Sequence, residues 1–284
     1  MNRSLVSVLA LFVLLALTAI APASADGLRG IDVNCTSGAH ISNGVEVMVN
    51  MRPGYTYTAT AIGLDGFDPV LAVLDARGDG LCADDDGTAA RYSADLPSTG
   101  FVPSSSLSSQ ISFSPDTFGF ADISLVVGGY NGEGGEFLLV LEGMGVTSHD
   151  GSGAGAGDPF YIRVTENMLN SGTPITAYMI SLNTQLDPYM SILDGDRVPV
   201  MVCDDAGTTS CDGQSAQLNG YYISQYNGNR LGGYEYDSMV RYNLDGTQLN
   251  SNPESNYLGF LMTSYQQRTY GQYMVAFHMG TASL

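Results

Sequence analysis

The sequence contains no lysine and no tryptophan, and histidine occurs only three times. All ten basic residues are therefore arginines, and 29 aspartates and glutamates outnumber them. A protein that binds nucleic acid needs clustered cations to neutralise phosphates, so this composition excludes nucleic acid as a partner. The zinc-protease, serine-hydrolase and phosphate-loop motifs are absent as well. The sequence therefore predicts a protein without catalytic activity.

Long apolar runs are also scarce, and the only one occupies residues 5–21. Arg3 precedes it and Ala23-Ser24-Ala25 follows it, which is the pattern of a secretory signal peptide over residues 1–25. The alternative, a membrane anchor, needs a longer core and a basic flank. Removal of the signal peptide leaves 259 residues (284 − 25) with a net charge of −20 (9 − 29). We expect a secreted or extracellular protein, with the periplasm and the cell surface as alternatives, and no membrane span.

Only four cysteines are present, Cys35, Cys82, Cys203 and Cys211. In an exported chain, four cysteines predict two disulfides, for which three pairings exist. The short loop between Cys203 and Cys211 favours a local bridge there, which leaves Cys35 to pair with Cys82. A zinc site is the alternative, but no C-x-x-C spacing supports it.

One unit of the sequence, by contrast, is present twice. It spans residues 67–87 and again residues 186–207, and each copy contains Asp-Pro, an apolar run, a turn and a carboxylate cluster. The offsets between the copies, 119 and 120 residues, indicate a tandem repeat of a whole domain. The corresponding aspartates are Asp68 and Asp187, Asp75 and Asp194, Asp84 and Asp204, and Asp85 and Asp205.

The repeat and its surroundings predict β-strands. Proline holds the preceding Asp in an extended conformation, and the apolar run that follows is short enough for a buried strand. Residues 44–51 and 55–62 alternate in side-chain character, as half-buried strands do. No helical period longer than two turns occurs. We therefore expect an all-β protein.

The sequence divides into two tandem β-sandwich domains of jelly-roll-like form, at residues 26–143 and 158–284. Residues 144–157 between them are rich in Gly and Ser and are typical of a linker. The histidine, aspartate and serine of this linker are too close in sequence, on too pliable a segment, to hold the geometry of a catalytic triad.

Taken together, the repeated units resemble the bacterial pre-peptidase C-terminal domain family. The likeness lies in the Asp-Pro pair, the apolar strand, the Asp-x-x-Gly turn, the Asp-Asp pair and a final Gly-x-aromatic-x-apolar strand. Gly271-Gln-Tyr273-Met fits this last element, and Gly135-Glu-Phe137-Leu fits it with Phe in place of Tyr. The resemblance covers most of residues 40–145 and 160–284. It implies β-sandwich modules of the kind attached to secreted enzymes, especially peptidases, although this sequence has no peptidase domain.

The repeated carboxylates have two interpretations. They are hard oxygen ligands that could bind Ca²⁺, which would offset the repulsion between them. Alternatively they cap turns by accepting hydrogen bonds from backbone N–H groups. Their spacing is not that of an EF-hand, and the second copy has Ala206 where the first has a third Asp. The candidate calcium ligands are Asp68, Asp75, Asp79, Asp84, Asp85 and Asp86, with Asp187, Asp194, Asp204 and Asp205.

An insertion at residues 219–237 of the second half is rich in Tyr, Gly and Asn. Such loops form adaptable binding surfaces, because Tyr supplies contact area at a low entropic cost. The alternative is that these tyrosines are ordinary strand residues at the surface of a sandwich. The candidate ligand surface consists of Tyr221, Tyr222, Tyr226, Tyr234 and Tyr236.

These patterns favour a secreted, non-catalytic protein that binds an extracellular polysaccharide or protein. A second hypothesis is a structural subunit of a surface layer or filament that self-assembles through strand edges. A third, which only the family resemblance suggests, is an accessory module of a separate secreted peptidase.

Overall fold

The structure, a computed structural model, describes residues 28–84, 93–103, 105–146, 157–182, 185–193, 197–204, 221–223, 230–231, 237–244, 256–267 and 269–283. Within these ranges the chain forms nineteen β-strands and two short α-helices. All the strand pairings there are antiparallel. The expected all-β fold is therefore confirmed. The predicted signal peptide, residues 1–25, lies outside the described ranges.

The first half of the chain contributes ten strands and one helix. They are β1 (Ile31–Asn34), β2 (His40–Asn50), β3 (Tyr57–Gly63), β4 (Pro69–Asp75), β5 (Gly80–Ala83), β6 (Ser93–Leu96), β7 (Gly100–Pro103), β8 (Ser109–Phe113), α1 (Pro115–Phe118), β9 (Asp122–Gly129) and β10 (Gly135–Val146).

The second half contributes nine strands and one helix. They are β11 (Asp158–Arg163), α2 (Glu166–Ser171), β12 (Ile175–Ser181), β13 (Pro188–Leu193), β14 (Pro199–Cys203), β15 (Tyr221–Ile223), β16 (Arg230–Leu231), β17 (Ser238–Tyr242), β18 (Tyr257–Ser264) and β19 (Gly271–Thr281). Neither helix has the length or the apolar character that crossing a lipid bilayer requires.

These strands form two large sheets whose orders show the repeat. The nine-stranded sheet runs β14-β13-β18-β11-β2-β9-β4-β5, with β1 paired to β2, and the six-stranded sheet runs β17-β12-β19-β10-β3-β8. In the nine-stranded sheet, the second half supplies β14-β13-β18-β11, and the first half supplies the equivalent strands in the opposite order, β2-β9-β4-β5. In the six-stranded sheet, β17-β12-β19 of the second half are likewise equivalent, in reverse, to β10-β3-β8 of the first half. The two halves are therefore related by an approximate twofold axis that passes through the middle of both sheets.

Local hydrogen bonds repeat along with the strands. The backbone N–H of Tyr130 donates to the carbonyl of Asp68 at 2.8 Å, and that of Tyr265 donates to the carbonyl of Asp187 at 2.9 Å. The hydroxyl of Ser109 donates to the carbonyl of Pro69, and an equivalent bond of the same length, 2.7 Å, joins Ser238 to the second Asp-Pro unit. The two copies of the repeat thus share their backbone geometry as well as their sequence.

The structure differs from the expected pair of separate sandwiches, because the halves are joined edge to edge. β2 pairs with β11 in the nine-stranded sheet, and β10 pairs with β19 in the six-stranded sheet. One core cluster contains buried side chains of both halves. Strand β10 also continues to Val146, so residues 144–146 belong to a strand and not to the linker, while residues 147–156 lie outside the described ranges.

The physical reason is that alternation in a sequence shows which face of a strand is buried but not which edge is paired. Strand β10 is apolar on both faces: Phe137, Leu139 and Leu141 point into the core between the large sheets, while Leu138 and Val140 point the other way. A half that ended at this strand would leave its edge open to solvent or to another chain.

A third, four-stranded sheet explains why the other face of β10 is buried. Its order is β16-β15-β6-β7, so it combines strands of both halves. Ala94, Leu96 and Val102 of this sheet pack in one cluster with Tyr178 and other residues of the six-stranded sheet. The six-stranded sheet is therefore the middle layer of three.

The nine-stranded sheet is covered at one end by the segment around β1. The predicted disulfide between Cys35 and Cys82 is confirmed, with Cα atoms 5.8 Å apart. It fixes the turn after β1 to strand β5, and a small apolar cluster lies beneath it. Strand β4 is consequently buried along its whole length. Cys203 is also disulfide-bonded, but its predicted partner Cys211 lies outside the described ranges.

The joined sheets lead to a prediction about cleavage. We expect the chain to keep both halves together after it is cut by a specific protease at a recognition sequence inserted between Gly151 and Ser152. The reason is that three strand pairings, β2 with β11, β10 with β19 and β6 with β15, and one shared core hold the halves independently of the connecting segment. Size-exclusion chromatography should give the mass of the intact protein, while a denaturing gel shows two fragments. Elution of two separate halves under native conditions would contradict the shared sheets.

The disulfide leads to a second prediction. Replacing both Cys35 and Cys82 with Ser should lower the free energy of unfolding by about 4 kcal/mol, because the bridge closes a loop of 47 residues. Urea denaturation at neutral pH measures this change. The matched Cys203→Ser/Cys211→Ser variant should lose less, about 2.5 kcal/mol, since its loop is shorter. Equal losses would show that loop length does not determine the effect.

Candidate functional site

A cleft of about 570 Å³ opens on the face of the nine-stranded sheet that points away from the six-stranded sheet. This volume lies within the range of small-molecule sites in proteins, roughly 300–1,000 Å³. We call it the outer-face cleft. Its floor comes from β2, β9 and β11, and the turn after β4 forms one wall. Its lining residues are Ile31, Glu46, Met48, Val49, Asn50, Leu74, Asp75, Ala76, Gly78, Asp122, Ile123, Ser124, Pro159 and Tyr161.

The floor follows from the alternation of strand β2. Val45, Val47 and Val49 point into the core, so Glu46, Met48 and Asn50 point outward. At the joint between the halves, Met48 lies opposite Tyr161 of β11. The cleft therefore contains side chains of both halves and exists only because the halves are joined.

The ring of Tyr161 lies beside a glycine of the neighbouring strand. Gly259 of β18 is opposite Tyr161 on the side away from Met48. A Cβ atom at position 259 would lie 3.4 Å from the ring of Tyr161 and 3.0 Å from Leu193. The absence of a side chain at this position leaves room for the ring against the sheet. The ring and Met48 together form an apolar surface in the cleft.

The polar side chains on the floor of the cleft form hydrogen bonds with neighbouring side chains. The side-chain amide of Asn50 donates to Asp122 at 2.6 Å, and the hydroxyl of Ser124 donates to Glu46 at 2.8 Å. The other oxygen of Glu46 accepts from Nε of Arg163, also at 2.8 Å. Each carboxylate in these bonds is fixed in position before any ligand arrives.

Tyr257 completes this arrangement at the edge of the cleft. Its hydroxyl donates to Glu46 at 3.3 Å, and the guanidinium of Arg163 lies 5.1 Å from the centre of its ring. Burial raises the pKa of Tyr257, and the negative charge of Glu46 raises it further. Tyr257 therefore stays protonated and serves as a hydrogen-bond donor.

Arg197 does not line the cleft but contacts one of its lining residues, Tyr161. The central carbon of its guanidinium is 5.8 Å from the centre of the Tyr161 ring, a cation–π contact. Its backbone has φ +63°, in the left-handed region that residues other than glycine rarely occupy.

Asp75, one of the candidate calcium ligands, caps a turn. Its Oδ1 accepts from the backbone N–H groups of Arg77 at 2.8 Å and Asp79 at 3.0 Å, and its Oδ2 accepts from the guanidinium of Arg77. Burial raises the pKa of Asp75, but these hydrogen bonds and the charge of Arg77 lower it more, so that it lies below its ordinary value. Both oxygens are thus occupied, and the capping interpretation describes this residue.

The structure does not bring the other candidate ligands that it describes into one cluster. Asp68 and Asp187 precede the strands of the Asp-Pro units, and Asp84 and Asp204 follow β5 and β14. Asp79 is exposed, with its carboxylate 3.8 Å from Arg77. Among the described residues, no group of three or more carboxylate, histidine or cysteine side chains is arranged to hold a metal ion. The remaining candidates, Asp85, Asp86, Asp194 and Asp205, lie outside those ranges, so calcium binding stays a prediction.

Of the predicted tyrosine surface, the structure describes Tyr221 and Tyr222, and neither of them lines the outer-face cleft. The backbones of Tyr221 and Tyr222 form part of β15, where they pair with Asp95 and Ala94 of β6. Tyr226, Tyr234 and Tyr236 lie outside the described ranges. Sequence reasoning missed the cleft because the pairing of β2 with β11 creates it. The one available signal was the outward series of Glu46, Met48 and Asn50, which mixes apolar and polar side chains on a central strand.

A buried network ties the halves together on the core side of the joint. The hydroxyl of Tyr273 donates to Asp158 at 2.6 Å, and the guanidinium of Arg52 forms an ion pair with the same carboxylate at 3.2 Å. Burial raises the pKa of Asp158, while the bond from Tyr273 and the charge of Arg52 partly oppose it. Burial also raises the pKa of Tyr273 well above its ordinary value.

Comparisons of the chain with models of protein families, with curated proteins and with solved structures found no match.

The network at the joint predicts a dependence of stability on pH. The pKa of Asp158 is higher in the folded state than in the unfolded chain. The protonated carboxyl of Asp158 therefore makes its full contribution to stability below the pKa that it has in the unfolded chain. This contribution is lost as the pH rises through the pKa that it has in the folded state. We expect the Asp158→Asn variant, which cannot titrate there, to gain stability relative to the wild type as the pH rises above the ordinary pKa of an aspartate, about 3.9.

Urea denaturation across this pH range measures the difference. Tyr273→Phe is the matched variant, because it removes a hydrogen bond that lowers the pKa of Asp158, and its loss of stability should extend to higher pH. If the free energies of unfolding of the wild type and Asp158→Asn differ by the same amount at every pH, the Asp158 carboxyl has the same pKa in the folded and the unfolded state.

Proposed function

We propose that this is a secreted, non-catalytic protein that binds an extracellular polymer or protein in the outer-face cleft. The observation that carries the proposal is the position of the cleft across the joint. Tyr161 of one half and Met48 of the other form a single apolar surface there, flanked by fixed polar groups. Binding sites combine these two features, since apolar contacts supply affinity and a few placed polar groups supply orientation.

Two of the three carboxylates of the cleft, those of Glu46 and Asp75, support binding over catalysis. Both oxygens of Glu46 and both oxygens of Asp75 are hydrogen-bonded. A general base must be able to reach a proton of the substrate, and these carboxylates are already bound to arginine and to other donors. Among the residues that line the cleft there is also no histidine or cysteine.

Secretion of the protein is part of the same proposal. The disulfide between Cys35 and Cys82 and the excess of acidic residues fit a protein outside the cytosol. The repeated Asp-Pro units support modules like those of the pre-peptidase family, and we propose calcium only as a stabilising ion at the ends of β5 and β14.

A filament or surface-layer subunit is the second candidate, and one observation favours it. Val198 and Val200, at the edge strand β14, are 53% and 50% exposed. Strand β14 begins at Pro199, however, and the opposite edge strand β5 has only four residues. Proline and short edge strands both oppose pairing between molecules, so the cleft is the better-supported site. A role beside a secreted peptidase rests on the family resemblance alone.

A pair of matched variants tests the cleft. Tyr161→Ala should reduce retention on the target, an insoluble polysaccharide or an immobilised matrix protein, by about tenfold or more, because it removes the aromatic surface. Tyr55→Ala removes another exposed tyrosine, 49% accessible and remote from the cleft lining, and should leave retention unchanged. Thermal unfolding checks that both variants stay folded. Equal retention of the two variants would place binding elsewhere on the protein.

A further inference from the structure

We propose that the ligand of the outer-face cleft is a polysaccharide of uncharged sugars, and that the side chains of Asn50 and Asp122 together bind its hydroxyl groups. This inference rests on the proposed function, because it names the ligand class of the same cleft.

The strands beneath the cleft favour a polysaccharide over an extended peptide. β2, β9 and β11 are interior strands of the nine-stranded sheet, and each pairs with a neighbour on both sides. Their backbone groups are used within the sheet, so a peptide cannot dock here by adding a strand. The ligand must instead be recognised through side chains.

The side chains of the floor match the two kinds of surface on a sugar ring. Tyr161 and Met48 lie opposite each other across the joint, and their apolar surface suits the C–H face of the ring. Asn50 follows Met48 by two residues on the same face of β2, which places these two positions about 7 Å apart. Asp122 of β9 lies directly opposite Asn50. An apolar surface and a polar pair are therefore neighbours on the floor of the cleft.

Asn50 and Asp122 keep hydrogen-bonding groups for a ligand. Both residues are exposed, and the bond between their side chains, 2.6 Å long, uses one N–H of the amide and one oxygen of the carboxylate. A side-chain amide has two N–H donors, and a carboxylate has two acceptor oxygens. The pair therefore presents a donor next to an acceptor. Two hydroxyls on adjacent carbons of a sugar offer the complementary acceptor and donor.

The charges of the lining oppose an acidic polymer. Three carboxylates, those of Glu46, Asp75 and Asp122, line the cleft, and no arginine or histidine does. The whole chain has 29 acidic residues and ten basic ones. An acidic ligand would therefore approach like charges without a cation in the lining to hold it.

Two arginines outside the lining explain why the ligand need not be basic. Arg163 pairs with Glu46 at 2.8 Å, and Arg77 pairs with Asp75 at 3.0 Å, so the charges of these two carboxylates are already balanced. The carboxylate of Asp122 is exposed, and salt screens an exposed charge. A basic polymer would gain only this screened contact, whereas sugar hydroxyls can bond to all the polar groups without an opposite charge.

The test is affinity electrophoresis in native gels that contain one uncharged polysaccharide each: a β-glucan, a xylan, a galactomannan or a dextran. Each polymer is compared with its carboxymethyl derivative, which has the same backbone and carries added negative charge. Chitosan, whose sugars carry amines, is the basic polymer of the series. An immobilised matrix protein completes it.

The wild type is compared with Tyr161→Ala, Asp122→Ala and Glu133→Ala. Glu133 is the matched control for Asp122, because it is also an exposed carboxylate without an ion pair within the described ranges, and it does not line the cleft. Thermal unfolding checks that every variant stays folded.

We expect the wild type to bind at least one of the uncharged polymers and to bind its carboxymethyl derivative more weakly. Asp122→Ala should bind that uncharged polymer about tenfold more weakly, since a hydrogen bond to a charged group is lost. Glu133→Ala should bind it as the wild type does. Raising the salt concentration from about 0.05 M to about 0.5 M should leave this binding unchanged, because salt screens interactions between charges.

Several results would overturn this inference and leave the proposed function standing. They are Tyr161-dependent binding of chitosan alone that salt weakens, binding of a carboxymethyl derivative as tight as that of its parent polymer, and binding of the matrix protein without any uncharged polymer. Equal weakening by Asp122→Ala and Glu133→Ala would also overturn it, as a general effect of charge. If Tyr161→Ala retains all binding, the proposed function itself fails.

Discussion

Edge-to-edge pairing between the halves is the interaction on which the other features of this protein depend. Strands β2 and β10 of the first half are central in their sheets, and they pair with β11 and β19 of the second half. Unpaired strand edges of this kind can pair with other chains and cause aggregation. The pairing between the halves prevents this and also forms the fold. It also makes both large sheets continuous, and the core between them is therefore a single layer of buried side chains.

The same joint explains the position of the cleft. Pairing of β2 with β11 places Met48 beside Tyr161, and it places Arg163 next to Glu46, whose carboxylate it holds. On the core side the joint contains Arg52, Asp158 and Tyr273. Polar contacts buried at an interface are costly to separate once they are formed. The outer surface and the inner network therefore depend on the same strands.

The sequence predicts the repeated elements of this fold well and their assembly poorly. The Asp-Pro units, the alternation of β2 and the pairing of Cys35 with Cys82 are local patterns or follow from a small number of cysteines. The pairing of β15 with β6 and of β2 with β11 joins residues more than a hundred positions apart, and no local pattern encodes it. Asp75 was a candidate ligand because a carboxylate that caps a turn and one that binds a metal look the same in a sequence.

The approximate twofold axis has an evolutionary consequence. Strands β9 and β18 each have eight residues and lead into the equivalent Tyr130 and Tyr265, which makes Met48 and Tyr161 equivalent positions that meet on the axis. Two identical half-length chains could form such a joint as a homodimer, but their shared groove would look the same from both directions. In a single chain with two similar halves, one of these positions can be Met and the other Tyr, as they are here. The two directions along the groove of the fused protein are therefore chemically different, with Met48 on one side of the axis and Tyr161 on the other.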